Sequence, residues 1–165
     1  MISSEEGADM HKPRLLAAFA VGAAVFALLS AGAASAADPV QLRSHLGNWC
    51  LDGPNGSNAA TVVNPCTGAK SQLWAFNPAG QIESVGFPGQ CLSISNAADN
   101  TPVTLASCQT SSDNQRWNHE ANGKITSPLG PCLNVFGGVA QPGTAVIAYH
   151  GIPDVADEEW DSVPS

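Results

Sequence analysis

Few residues of this 165-residue chain could carry chemistry, and their types restrict what that chemistry is. The histidines are His11, His45, His119 and His150, and no two stand in a metal-binding His-x-x-x-His spacing. No Gly-x-Ser-x-Gly elbow and no phosphate-cradling glycine loop occurs. Acidic residues crowd together at Asp154, Asp157, Glu158, Glu159 and Asp161. Glycoside hydrolysis needs two carboxylates facing each other across the scissile bond, whereas strand neighbours such as Glu158 and Glu159 point to opposite faces. The cluster also lacks the D-x-[DN]-x-[DN]-G calcium loop. The expectation is therefore no catalytic residue, no metal and no cofactor. What remains is hydrogen bonding by carboxylates and amides, contact with aromatic faces, and the chemistry of five cysteines.

Those residues recur at fixed intervals. Cys50-Leu51-Asp52, Cys91-Leu92-Ser93 and Cys132-Leu133-Asn134 lie 41 residues apart. Gln72-Leu73-Trp74, Gln115-Arg116-Trp117 and Glu158-Glu159-Trp160 lie 43 apart, and Cys66 and Cys108 lie 42 apart. Three markers at nearly one period define an internal repeat, with units at about 40–80, 81–123 and 124–165. Within each unit the pattern is β. Short apolar and β-branched runs such as Thr61-Val62-Val63, Val103-Thr104-Leu105 and Ala145-Val146-Ile147 are interrupted by Gly, Pro, Asn and Ser clusters. Propeller blades share this period but need roughly four to eight copies to close. Three four-stranded units about a threefold axis instead predict an all-β fold, the β-trefoil. Trp74, Trp117 and Trp160 recur in apolar-flanked strands and are expected to fill the core around that axis.

The N-terminal segment predicts export. His11, Lys12 and Arg14 precede an apolar run from Leu15 to Leu29, and small residues end at Ala34-Ser35-Ala36. This is the plan of a cleaved signal peptide over 1–36, with Met10 the expected start and 37–165 one mature domain. An uncleaved membrane anchor is the alternative reading of the same run. The expected location is extracellular, with no membrane attachment after cleavage. A net charge of −8 and only six Lys plus Arg exclude a nucleic-acid-binding basic patch. A hydrophobic content of 44% excludes charged disorder.

Cys-Leu-Asp, a glycine-rich turn, a second cysteine and Gln-x-Trp together resemble the subdomain of ricin B-type β-trefoil lectins, over Val40 to about Val163. The resemblance is to small secreted bacterial lectins of one trefoil, and implies shallow sites for galactose-type sugars. It implies disulfides Cys50–Cys66 and Cys91–Cys108, with Cys132 unpaired. Counting by the period sets His150 opposite Cys132, and aligning on Gly143-Thr144 sets Gly151 there. A buried inert thiol and an exposed thiol that dimerises the protein both fit. In the family an acid lies two residues after the first cysteine, an aromatic two before the second, and Asn-Gln before the Trp. The first unit offers Asp52 and Gln72, with Asn64 in the aromatic's place. The second keeps Asn114-Gln115 but has Ser93 and Ala106. The third offers Asn134, Tyr149 and Asp157-Glu158, though those two carboxylates equally suit a solvated acidic turn. The expected partners are glycans of a host or bacterial surface, bound weakly at the first and third units. The rival expectation is a trefoil whose decayed sugar sites serve as a protein-interaction or inhibitor surface.

Overall fold

The computed structural model describes residues 37–165. The signal peptide over 1–36 and the start at Met10 lie outside the described residues. In the first unit the strands are β1 (Val40–Ser44), β2 (Trp49–Asp52), β3 (Val62–Pro65) and β4 (Trp74–Phe76). The second contains β5 (Ile82–Ser84), β6 (Gln90–Ser93), β7 (Thr101–Pro102), β8 (Thr104–Ser107) and β9 (Asn118–His119). The third contains β10 (Ile125–Thr126), β11 (Cys132–Val135), β12 (Thr144–Tyr149) and β13 (Trp160–Pro164). Only single 3-10 turns interrupt the strands, at Lys70–Gln72, Asp113–Gln115 and Phe136–Gly138. All named strands pair antiparallel, and β13 pairs with β1 from Ser44↔Trp160 to Val40↔Pro164, closing the third unit onto the first. The described residues form a β-trefoil.

One hairpin register is repeated three times. Cys50 faces Asn64 and Asp52 faces Val62; Cys91 faces Ala106 and Ser93 faces Thr104; Cys132 faces Tyr149 and Asn134 faces Ile147. Because alternate strand residues share a face, each first cysteine and the residue two beyond it lie on the same side of their hairpin. Trp49 is one residue out of that phase. It packs against the core rather than beside Asp52.

The other face of each hairpin supplies the core. Leu51, Leu92 and Leu133 are buried, as are Leu42, Ile82 and Ile125 from the first strand of each unit. Burying each such side chain stabilises the fold by about 1.5–3 kcal/mol. Trp74, Trp117 and Trp160 join them, and their indole N–H groups donate to the carbonyls of Leu51, Leu92 and Leu133 at 3.0, 3.0 and 3.2 Å. The Gln-x-Trp and Cys-Leu motifs are thus two ends of one buried contact, which explains why they travel together.

Disulfides join Cys50 to Cys66 and Cys91 to Cys108, with Cα atoms 5.0 and 5.1 Å apart. Cys132 is free and buried. Gly151 occupies the place of its missing partner, for a Cβ there would sit 3.3 Å from the Cys132 Sγ. His150 turns away to Asp99. Burial of the thiol agrees with the inert reading and leaves no exposed sulfur for dimerisation.

Candidate functional site

The third unit presents the most complete arrangement. The register of β11 and β12 sets Cys132, Asn134, Ile147 and Tyr149 on one face. The turn at Phe136–Gly138 and the segment before β13 complete a cleft of about 270 Å3 lined by Asn134, Ile147, Tyr149, Asp157, Phe136 and Ile152, with Asn100 at its edge. At its base the Asn134 amide donates to Asp157 Oδ2 at 3.0 Å and to Glu158 Oε1 at 3.4 Å. Asn134 Oδ1 and Asp157 Oδ1 accept no hydrogen bond among the described residues. Tyr149 supplies a ring, while Phe136 at 53% exposure and Ile152 at 37% supply apolar walls.

Glu158 differs from its neighbour Asp157. It is fully buried and takes the ammonium of Lys124 as its partner, so this part of the acidic cluster is not a solvated turn. Its Oε2 also accepts from the Ile152 N–H at 2.8 Å and from the Cys132 thiol at 3.6 Å. Burial alone would lower the Lys124 ammonium, but the adjoining Glu158 carboxylate overcomes that and holds it above its usual range. Burial and the Glu158 charge push the Cys132 thiol up to about 12. The thiol is therefore protonated at physiological pH and a poor nucleophile.

The second unit contains the neutral version of this contact. Gln115 replaces Glu158 and Gln81 replaces Lys124, with the Gln81 amide donating to Gln115 Oε1 at 3.0 Å. Gln115 also accepts from the Gln109 N–H and donates to the Ser107 carbonyl, which fills its carbonyl oxygen and leaves one amide proton on a buried side chain. Ser93 and Ala106 complete this unit's face without a ring or a carboxylate.

The structure brings Asp52, Asn64 and Gln72 together in the first unit. Asn64 donates to Asp52 Oδ2 at 3.0 Å and Gln72 at 3.2 Å. The Gln72 amide is otherwise spent on the Pro65 carbonyl and the Thr67 N–H and hydroxyl, so its evident effect is to orient Asp52. Asp52 is only 6% exposed, and its Oδ1 is buried without a hydrogen-bond partner. The Gly143 N–H from the third unit donates to Asn64 Oδ1 at 3.0 Å and lays a turn against this face.

A second cleft of about 460 Å3 follows the β1–β13 seam but is lined by no Phe, Tyr or Trp, and its His45 and Asp161 are paired to each other. Glu83 lies beside Cys91 and Cys108, but those sulfurs are bonded together and offer nothing to a metal.

The family model of the ricin-type β-trefoil lectin domain matches residues 38–160. The chain belongs to that family. An uncharacterised protein of Mycobacterium tuberculosis is 44% identical over 153 residues, which span 91% of this chain and 94% of that protein. The β-trefoil lectin of the Vibrio vulnificus hemolysin/cytolysin, solved with N-acetyl-D-lactosamine bound, superimposes with a TM-score of 0.64 at 22% identity, over 78% of this chain and 95% of that one. The C-half of an earthworm R-type lectin, solved in complex with GalNAc, gives 0.63 at 14% identity, over 78% and 99%. At those identities the likeness shows the shared fold. Membership places this lectin domain in a non-catalytic, carbohydrate-binding class.

The sequence did not point to Lys124, Ile147, Ile152, Phe136 or Asn100. Lys124 was within reach, because it stands 43 residues after Gln81, the same interval as the tryptophans. Ile147 follows from the hairpin register once Tyr149 is placed. Phe136, Ile152 and Asn100 lie in loops, where no period marks them.

Proposed function

We propose that this lectin domain is an exported glycan-binding module whose principal site is the third-unit cleft. The observation that carries the reading is one hairpin face that sets the Tyr149 ring beside the acceptor oxygens of Asn134 and Asp157 in a cleft of about 270 Å3. Sugars offer such a site vicinal hydroxyls to donate and a C–H face to lie on the ring. The free carboxylate of Asp157 repels uronic and sialic acids, so the ligand is a neutral glycan, of the galactose type that the family resemblance suggests. Asn134 and Asp157 exchange the acid and amide of the family pattern, and the pair survives with its two positions swapped. In the first unit, Asp52 held by Asn64 and Gln72 forms a second, weaker site, restricted by the Gly143 turn that lies on Asn64. One shallow cleft binds weakly, so useful affinity on a host or bacterial surface comes from several copies acting together. Domain limits of 37–165 with a cleaved 1–36 leader fit this reading, and no helix among the described residues is long and apolar enough to cross a membrane.

The competing reading, a protein-interaction surface, draws on Phe136 and Val139, which are 53% and 55% exposed beside the cleft. A glycan array probed with multimerised protein separates the two. The expected result is binding to neutral glycans that Tyr149→Ala reduces at least about tenfold with the cooperative thermal melt retained. Binding lost only in Asp52→Ala would move the principal site to the first unit. Silence across neutral, acidic and bacterial glycans would favour the protein partner.

A further inference from the structure

In each unit a loop from a neighbouring unit lies against the ligand-facing hairpin. In the first unit the third unit's turn closes over it through the Gly143 N–H on Asn64. In the second the first unit's loop bridges onto β8 at Ser57↔Leu105 and Ala60↔Thr104. The visiting loops use backbone groups in both cases, and in the second unit the Ser57 hydroxyl also donates to Gln90 Oε1 at 2.6 Å. In the third unit the visiting loop brings Asn100 into the lining of the cleft itself.

Asn100 is firmly placed. Its backbone N–H donates to the Ala148 carbonyl at 2.9 Å, and β7 just after it pairs with β12 at Ala148↔Thr101 and Ile147↔Pro102. Its φ of 64° is left-handed, a conformation that Asn tolerates better than most residues. On its other side Asp99 accepts from both the backbone N–H and the ring Nδ1 of His150, each at 2.8 Å. His150 in turn lies against the Tyr149 ring, with centroids 4.4 Å apart. The loop is therefore fastened to the strand that carries Ile147 and Tyr149, while no hydrogen bond engages the Asn100 amide among the described residues.

The polar inventory of the cleft gives that amide a role. Asp157 only accepts, and both protons of the Asn134 amide are taken by Asp157 and Glu158. The Tyr149 hydroxyl has a single proton. Among the side chains of the described residues that line the cleft, Asn100 alone has an amide free to donate to a ligand acceptor such as the carbonyl oxygen of an acetamido substituent. The substituent's methyl group would meet the apolar walls at Phe136 and Ile152.

We propose that Asn100, carried by the second unit, is a ligand-contacting specificity residue of the third-unit cleft, donating its side-chain amide to an acceptor oxygen on the bound sugar. Asp99 is its positioning residue, acting through His150. The proposal rests on the third-unit cleft being the glycan site, and the experiment separates the two claims.

Neutral glycans arrayed in pairs, each acetamido sugar beside its hydroxyl counterpart, are titrated with the protein expressed from the full chain. Variants are Asn100→Gly, which keeps the left-handed backbone unstrained, Asn100→Asp, which keeps the shape and removes the donor, Asp99→Ala, the Asp99→Ala/Asn100→Gly double, and Tyr149→Ala to mark the cleft. Melting temperatures confirm that each is folded. Both Asn100 variants are expected to weaken the acetamido partner roughly tenfold and its counterpart by less than about twofold. Asp99→Ala is expected to show the same selective loss, and the double variant no further loss, a coupling that general loosening of the loop would not produce. Unchanged selectivity in both Asn100 variants, with binding abolished by Tyr149→Ala, overturns the role of Asn100 and keeps the cleft. Binding that survives Tyr149→Ala, or is absent from the parent, overturns the cleft reading and this inference with it.

Discussion

The buried pair of Lys124 and Glu158 shows how one substitution constrains the next. Glu158 stands where the second unit has Gln115, and a carboxylate cannot donate as an amide does. Lys124 supplies the missing donors, reaching both Glu158 and the Ile152 carbonyl. Removing one partner strands a buried charge, so Lys124→Met should cost about 3–5 kcal/mol in denaturant unfolding. The Lys124→Gln/Glu158→Gln double variant copies the Gln81–Gln115 contact and should recover most of that loss. The same cluster predicts alkaline instability. A raised ammonium contributes stability that is present below its ordinary value of 10.5 and is lost above it. The Cys132 thiol, raised from 9.0 to about 12, adds a loss that begins as the unfolded thiol ionises. The melting temperature should therefore fall from pH 9 to 12, and Cys132→Ala should flatten the early part of that fall. In the native protein at pH 8 a thiol reagent should label Cys132 only as fast as the protein unfolds.

At the scale of the element, the hairpin is the unit that the repeat preserves. Its register keeps each first cysteine opposite position Asn64, Ala106 or Tyr149, whatever residue evolution has placed there. Two hairpins are tied by disulfides and the third is held by the Glu158 cluster. Gly151 has an ordinary backbone and a Cβ direction toward Cys132, so Gly151→Cys should form a third disulfide. Closing that loop is worth about 3 kcal/mol in the chain-entropy model, a rise in Tm of roughly 10 °C. Non-reducing mass spectrometry and calorimetry check both parts. A free thiol count of two would show that the hairpin ends do not meet.

For the whole molecule, closure is what makes three similar units one domain. β13 pairs along β1, and Trp160 completes the set of core tryptophans with its indole on Leu133. Deleting residues 160–165 removes both, and should abolish cooperative unfolding even though no cleft residue is lost; a sigmoidal melt in the truncated protein would contradict this. Packing of the second unit on the third builds the cleft, because Asn100 and Tyr149 line it together only when β7 pairs with β12.

The period of Cys-Leu and Gln-x-Trp was enough to determine the β-trefoil and its core tryptophans, because every unit repeats those residues and the signal is multiplied by three. The two disulfides were expected from the family resemblance, and the third unit lacks the second cysteine. The sequence also marked Asp52, Asn64, Gln72, Asn134, Tyr149 and Asp157 as polar and aromatic groups at the positions where the family resemblance implies sugar contacts. It left open whether Glu158 was solvated and whether His150 or Gly151 faced Cys132. Tertiary structure decided those, together with the burial of Asp52 beneath the Gly143 turn and the arrival of Asn100 at the cleft. Such features arise where one unit's loop packs on another's hairpin. Contacts of that kind join residues far apart in the chain, at positions that the three units do not share, and no period records them.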